Sequence, residues 1–165
     1  MSSEEKYIVP SGTRIGHVHL KVSDLQRALD FYCGMLGFEV MAKMGSDAAF
    51  ISAGGYHHHI GLNTWQSKGM PPAPRNQPGL FHTAIVFPTR KDLAFAVNRL
   101  LEQSYPLTGA ADHGVSEAIY LDDPDGNGVE IYWDRPKEDW PTHSDGSLRM
   151  YTRQIDMENL LGELG

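Results

Sequence analysis

The sequence has little cysteine and no long apolar run, and each shortage excludes a class of protein. Cys33 is the only cysteine among 165 residues, so neither an intramolecular disulfide nor a thiolate metal cluster can form. No apolar stretch approaches the roughly 20 residues that a membrane-spanning helix needs, and the opening segment 1–10 is too polar for a signal peptide. We therefore expect a soluble, cytoplasmic protein with no membrane partner.

Dense basic clusters are absent as well. The formal net charge is -7 at neutral pH, and an acidic surface without a basic patch repels a phosphate backbone. We therefore expect no nucleic-acid partner. Since 41% of the residues are hydrophobic, the chain can bury one sizeable core, but its length is too short for two ordinary domains.

The first half of the chain has the pattern of one strand, one helix and three further strands. Residues 14–22 alternate between apolar and polar side chains, as in a half-buried strand. Ser23 or Asp24 can cap the helix that follows, and apolar residues recur at helical spacing until Gly37. The three strand candidates after it are 38–44, 48–54 and 57–65.

The second half repeats this pattern after a proline-rich segment, 66–79. A strand over 81–87 and a helix over 90–103 precede three strand candidates, which are 105–110, 116–123 and 128–134. His82 takes the place of His17 in the repeat, which suggests duplication of one unit. The pattern predicts an α+β fold of paired βαβββ modules that form one cup-shaped, barrel-like sheet around a site.

The same pattern predicts the domain organisation. We expect an N-terminal arm over 1–13, a single domain over 14–136 with modules 14–65 and 80–136, and a C-terminal extension over 137–165. The extension is polar and ends in a short helical pattern, and Trp140 and Tyr151 give it apolar anchors. We therefore expect it to dock on the body of the protein.

Chemistry is indicated by the side chains that point away from the two helices. Because side chains alternate along a strand, His17 and His19 in the first strand, His82 in the fifth and Glu130 in the last should all face the concave side. Two imidazoles and one carboxylate leave about three positions open on an octahedral metal, which suits non-haem Fe(II), although Mn(II) and Zn(II) accept the same ligands. We expect one such metal between His17, His82 and Glu130.

A run of three histidines, His57, His58 and His59, opens the fourth strand candidate. Regular alternation turns His59 inward, and also His57 if the strand is regular that far. A neutral imidazole beside a bound phenol can accept its proton near neutral pH. The later segment DPDGNG, 123–128, has turn residues that would aim the strand carrying Glu130.

Three segments resemble the vicinal oxygen chelate superfamily of glyoxalases, extradiol dioxygenases and antibiotic-resistance proteins. They are GHVHLKVSDLQRALDFYCGMLGF, GLFHTAIVFP and YLDDPDGNGVEIYWDRP. The likeness covers about 14–136 and is strongest to extradiol enzymes of the catechol 2,3-dioxygenase type. It implies paired βαβββ modules and assigns the three metal positions to His17, His82 and Glu130.

The resemblance also implies roles for residues around the metal. It places the acid-base catalyst on His58, whereas alternation favours His59 or His57, unless a β-bulge turns His58 inward. Tyr120, ten residues before Glu130, would be catalytic through a hydrogen bond to a substrate oxygen. We expect His59 and His113 to contact the substrate.

The favoured function is Fe(II)-dependent cleavage of a catechol-like ring by dioxygen. The alternatives on the same fold are a glyoxalase-like isomerase or thiol transferase, and a resistance-type protein that sequesters a ligand. Gly61 stands where the resembling glyoxalases have a second carboxylate ligand, and resistance proteins generally lack the metal set, so both alternatives are less favoured. Because the resembling dioxygenases often have two such domains per chain, we expect a homo-oligomer, with a dimer favoured.

Overall fold

Strands and helices follow the order β-α-β-β-β in each half of the chain, in a computed structural model that describes residues 6–165. In the first half, Asp24 caps the helix α1 by accepting a hydrogen bond from the backbone N–H of Arg27, and a π-helical turn continues α1 until Gly37. The elements of this first module are β1 (Val18–Lys21), α1 (Leu25–Leu29, then π-helical Asp30–Met35), β2 (Glu39–Met44), β3 (Ala48–Ser52) and β4 (Ile60–Asn63).

The second module has the same order and a longer helix. Thr89 caps this helix through the backbone N–H of Asp92. The elements are β5 (Thr83–Val86), α2 (Arg90–Glu102), β6 (Leu107–Asp112), β7 (Ser116–Asp122) and β8 (Gly128–Asp134). The C-terminal extension adds a short 3-10 turn (Lys137–Asp139), the helix α3 (Met157–Leu161) and a final 3-10 turn (Gly162–Leu164).

Each module forms its own four-stranded mixed sheet. The strand orders are β1-β4-β3-β2 and β5-β8-β7-β6, with β1 parallel to β4, β5 parallel to β8 and the other pairs antiparallel. The predicted α+β fold of paired βαβββ modules is confirmed. The single barrel-like sheet is corrected to two cup-like sheets, because β1 and β5 do not pair with each other in the described residues.

Several strands are shorter than the sequence pattern predicts. β4 begins at Ile60 rather than at residue 57, because the chain turns at Gly54 and Gly55, which both have positive φ, and bends again before it pairs. β1 likewise begins at Val18 rather than at residue 14. The predicted arm over 1–13 lies partly outside the described residues, and the remaining part forms no strand or helix.

The two modules are joined through the sides of the sheets that carry the helices. Leu20, Val22, Leu93 and Val97 belong to one continuous core that includes both helices. The side-chain carboxylate of Asp125 accepts hydrogen bonds from Ser23 and forms an ion pair with the Arg27 guanidinium at 2.6 Å. The Tyr32 hydroxyl donates a hydrogen bond to Asp123 at 3.0 Å. The segment 123–128 is the predicted turn, and the hydrogen bonds of Asp123 and Asp125 also join the second module to the first.

The C-terminal extension packs on the second module, as expected. Ile155 and Leu160 are buried, and the Trp140 indole N–H donates to the Arg135 carbonyl at 2.8 Å. Arg90 on α2 binds Glu163 in the last turn. No helix within 6–165 is long and apolar enough to cross a membrane.

Candidate functional site

The strand register of the second module brings three predicted site residues onto one face. Glu130 on β8 pairs with Ala84 on β5 and with Tyr120 on β7, so their side chains share a face. His82 lies two residues before Ala84 and points the same way. Its Nε2 atom is 2.8 Å from Oε2 of Glu130, and the Tyr120 hydroxyl is 3.4 Å from Oε1.

His113 is a second hydrogen-bond partner of Tyr120. The His113 Nδ1 atom lies 3.0 Å from the carbonyl oxygen of Tyr151, and a carbonyl can only accept, so Nδ1 carries the proton. In the neutral ring Nε2 is then the acceptor, and the Tyr120 hydroxyl donates to it at 2.7 Å. Burial and the nearby Glu130 carboxylate raise the pKa of Tyr120 to about 12, so the phenol keeps its proton near neutrality.

The first module presents a separate face of imidazole and aromatic rings. His17 lies against His58 with ring centroids 4.3 Å apart, and Phe50 lies 5.1 Å from the same His58 ring. His19 covers Gly61, where an added Cβ atom would lie 2.9 Å from the imidazole. Gly61 is therefore inward-facing, as predicted, and its lack of a side chain leaves room for His19.

The three adjacent histidines have different surroundings. His59 places Nδ1 3.0 Å from the hydroxyl of Ser52, and His57 contacts His58 through their Nδ1 atoms at 2.8 Å. His58 is the member of the run whose ring packs on His17. The bend before β4 turns it there, whereas regular alternation would turn His57 or His59 inward.

Partial burial and the neighbouring His17 and His57 lower the pKa of His58. A histidine whose pKa is lowered is mostly neutral near pH 7, and a neutral imidazole can accept a proton. His58 is thus suited to the base role that the resemblance implies for it, which stays a prediction.

Two of the three predicted metal ligands, His82 and Glu130, lie next to each other. Bonds of about 2.1 Å at a right angle place two ligand atoms about 3 Å apart, close to the separation of His82 Nε2 and Glu130 Oε2. The buried Nδ1 atom of His82 has no hydrogen-bond partner in the described structure. These two residues fit a metal, but His17 lies on the other sheet, and no group of three His, Cys, Asp or Glu side chains within 6–165 is placed to hold an ion.

A cleft of about 590 Å³ opens beside His82 and Tyr120. One wall is the chain before β5, which contributes Arg75 from the proline-rich segment and Phe81 after it. Arg75 is held there by an ion pair with Asp122. The sequence identified this segment only as the boundary between the two halves of the chain. An irregular stretch without periodicity gives no indication of which surface of the protein it covers.

The comparisons with known proteins agree with the fold. The sequence pattern that defines the Glyoxalase/Bleomycin resistance protein/Dioxygenase superfamily matches residues 14–131. A catechol-2,3-dioxygenase of Bacillus subtilis (strain 168) is 42% identical over 153 residues, which are 93% of this chain and 53% of that protein. Biphenyl-2,3-diol 1,2-dioxygenase 2 of Rhodococcus globerulus is 34% identical over 125 residues, which are 73% of this chain and 63% of that protein.

The chain therefore spans only about half to two thirds of the length of these two relatives. Among solved structures, a glyoxalase/dioxygenase from Nostoc punctiforme matches with a TM-score of 0.63 at 19% identity, over 81% of this chain and 100% of that one. At that identity the likeness is one of fold.

Proposed function

The chain belongs to the Glyoxalase/Bleomycin resistance protein/Dioxygenase superfamily, and on that premise we propose that it is an extradiol dioxygenase that cleaves a catechol-like aromatic diol. The observation that carries the proposal is the convergence of His82, Glu130 and Tyr120 on one face, with two metal-ligand atoms 2.8 Å apart and a protonated phenol beside them. The dioxygenase relatives support the choice of reaction class.

We propose Fe(II) as the metal, with Mn(II) and Zn(II) as alternatives, and His17, His82 and Glu130 as its ligands. Such an ion would supply a Lewis-acidic centre that holds the diol and dioxygen side by side. Extradiol cleavage breaks the ring bond next to the diol and places both oxygen atoms in the product. The diol supplies the electrons, so no external reductant is needed.

The protein's own residues would bind and orient the diol and move its proton. His58 would accept a phenolic proton, since its lowered pKa keeps the imidazole neutral and its nitrogen available near pH 7. Tyr120 would turn its hydroxyl from His113 toward a substrate oxygen, and His113 would hold the phenol in place. His59 and the cleft beside His82 would contact the rest of the substrate.

A residue on strand β4 makes the glyoxalase-like alternative less favoured. Gly61 offers no ligand, and any side chain there meets the ring of His19 within 2.9 Å. A carboxylate ligand at this position would displace His19 first. We therefore keep isomerase and thiol-transferase assays as controls.

The proposal is tested by loading the purified protein with Fe(II) without oxygen and then adding dioxygen with a panel of catechols. Ring opening should give a yellow product that is measured by its absorbance. Methylglyoxal with glutathione should not be turned over. If Fe(II), Mn(II) and Zn(II) forms all fail to open any diol, the proposal is wrong.

Matched histidine variants make the test specific. His82→Ala should abolish ring opening because it removes a proposed ligand, with a loss of at least about 100-fold. His143→Ala changes an exposed histidine in the C-terminal extension and should leave the rate unchanged. Equal losses in both variants would separate the activity from the proposed site.

A further inference from the structure

The cleft beside His82 and Tyr120 is larger than a catechol ring requires. Its volume is about 590 Å³, and pockets of about 300–1,000 Å³ hold drug-sized ligands. An unsubstituted catechol is much smaller than such a ligand. The cleft therefore has room for a substituent on the ring.

The cleft runs along β7 from the proposed catalytic residue toward an ion pair. Tyr120 and Asp122 are two residues apart on this strand, so their side chains point to the same face, about 7 Å apart. Both residues line the cleft, and Gly109, which pairs with Tyr120 on β6, adds no side chain to the floor. A ring held at Tyr120 therefore has open space in the direction of Asp122.

A glycine on β8 sets the position of the opposite wall. A Cβ atom added at Gly128 would clash with the carbonyl oxygen of Phe81 and lie 3.1 Å from Cβ of His82. Because Gly128 has no side chain, the chain before β5 packs directly on β8. The same stretch of chain brings Arg75 to Asp122. The proposed ligand His82 and the Arg75 guanidinium thus belong to one continuous segment that lines the cleft.

The Arg75 guanidinium is oriented but still has hydrogen-bond donors to offer. One of its terminal nitrogens, Nη2, donates to Asp122, whereas a guanidinium carries five N–H groups. Within residues 6–165 no further acceptor bonds to this side chain, which is 71% exposed. The planar fork of an arginine matches the two oxygens of a carboxylate. Arg75 can therefore hold a carboxylate ligand without giving up Asp122.

The charge around the cleft favours an anionic group. The net charge of the chain is -7, yet no aspartate or glutamate occurs between Asp47 and Asp92. Among the cleft-lining residues of the described chain, Arg75 is the only lysine or arginine and Asp122 the only acid. An anion in the cleft meets one carboxylate whose charge Arg75 already offsets, together with the remaining donors of the guanidinium.

We propose that the substrate is a catechol whose ring carries, on the side away from the diol, a short side chain that ends in a carboxylate, and that Arg75 binds this carboxylate. The diol would lie at the end of the cleft formed by His82 and Glu130, and the side chain would extend along β7. The inference rests on the proposed function in taking that end as the diol site. It makes Arg75 the residue that selects the substrate.

The test compares three catechols that differ only in the charge of the side chain opposite the diol. One carries a propionate group, one a neutral propyl group, and one, dopamine, an ethylammonium group. Each is titrated by calorimetry into Mn(II)-loaded protein with dioxygen excluded, so binding is measured without turnover. The wild-type protein should bind the acid about 10-fold more tightly than propylcatechol, the low end for a charge-assisted hydrogen bond at an exposed site, and dopamine most weakly.

Variants of Arg75 test the assignment of the carboxylate. Arg75→Gln should bind the acid and propylcatechol equally well, with the affinity for propylcatechol unchanged. Arg75→Glu should reverse the order, so that dopamine binds best. Arg149→Ala changes an exposed arginine outside the cleft and should keep the wild-type order. Arg75 lies on the surface of an irregular segment, so these variants should fold, which circular dichroism checks.

Two results would overturn the inference. One is a wild-type protein that binds propylcatechol as tightly as the acid, and the other is an Arg75→Gln protein that keeps the preference for the acid. The outcome is separate from that of the catalytic assay. Binding of the acid that depends on Arg75 but leads to no ring opening refutes only the proposed function, and ring opening of catechols without preference for the acid refutes only the substrate class.

Discussion

Tyr120 is the proposed catalytic residue whose surroundings the structure describes most fully. Its hydroxyl lies between His113, which accepts its hydrogen bond, and the carboxylate of Glu130. Because the pKa of this phenol is raised to about 12, it remains a hydrogen-bond donor throughout the neutral range. A donor that turned from His113 toward the site would stabilise charge that develops on a bound oxygen.

We therefore expect Tyr120→Phe to lower kcat for ring opening by about 100-fold, since one preorganised donor to a developing charge is worth roughly that much. KM should change little, and Mn(II) affinity should not change, because the ring carries no proposed ligand atom. Steady-state kinetics with the preferred diol measures the first two quantities, and calorimetry the third.

Tyr105→Phe is the matched control for this variant. The Tyr105 hydroxyl also donates one hydrogen bond, at 2.7 Å, but its acceptor is the carbonyl of Asp122. Its loss should reduce the free energy of unfolding by about 1 kcal/mol and leave kcat unchanged. If the two variants have the same effect on kcat, Tyr120 acts through general stability and not at the site.

At the scale of elements, the turn 123–128 has two functions. Asp123 accepts the N–H groups of Asp125 and Asn127 and so shapes the turn that leads into β8. Asp125 reaches across to Ser23 and Arg27 at the start of α1. One short segment thus both orients the strand that carries Glu130 and fixes that strand's module to the other.

Asp125→Ala should lower the free energy of unfolding by about 1–3 kcal/mol, because it leaves the N–H of Ser23 and the guanidinium of Arg27 without their buried partner. The value stays below that of a fully buried pair, since Arg27 is half exposed. Urea unfolding measures the change. Asp47→Ala, which removes an exposed ion pair with Lys68, is the control and should leave the midpoint almost unchanged. Equal shifts of the unfolding midpoint in both variants would show that the contacts of Asp125 with Ser23 and Arg27 contribute no specific stability.

At the scale of the whole molecule, the C-terminal extension is part of the site's support. The carbonyl of Tyr151 fixes the ring of His113, and Arg153 forms a backbone bridge with Asp112 on β6. Leu160, fully buried under α2, and Arg90, which binds Glu163, hold the end of the extension down. A segment without regular structure therefore controls the position of a hydrogen bond to Tyr120.

Leu160→Ala should destabilise the protein by about 2–5 kcal/mol, because it empties a packed position. It should also loosen the extension before the domain unfolds, which hydrogen exchange of the amides at 151–153 measures. Leu148→Ala, at a leucine in the same extension that is 48% exposed, should change neither quantity. Unchanged exchange at 151–153 in the Leu160 variant would mean that the extension is held by its other contacts alone.

The sequence by itself determined the units of this protein. Periods of two and 3.6 residues are imposed by local backbone geometry, so they predicted both βαβββ modules, the face on which Glu130 lies, and the inward position of Gly61. Capping residues are also local, and the candidates Ser23 and Asp24 located the start of α1. The relation of Tyr120 to Glu130 came from the resemblance to extradiol enzymes, and the structure pairs the two residues on neighbouring strands.

Only the tertiary structure decided how these units combine. Which histidine of His57, His58 and His59 meets His17 depends on a bend that regular alternation cannot express. Three contacts join residues that lie 38 to 102 positions apart: Asp125 with Ser23, Asp123 with Tyr32, and Tyr151 with His113. No local rule encodes such pairs. For the same reason the duplication predicted three converging ligands, whereas the packing of the modules left His17 on one sheet and His82 with Glu130 on the other.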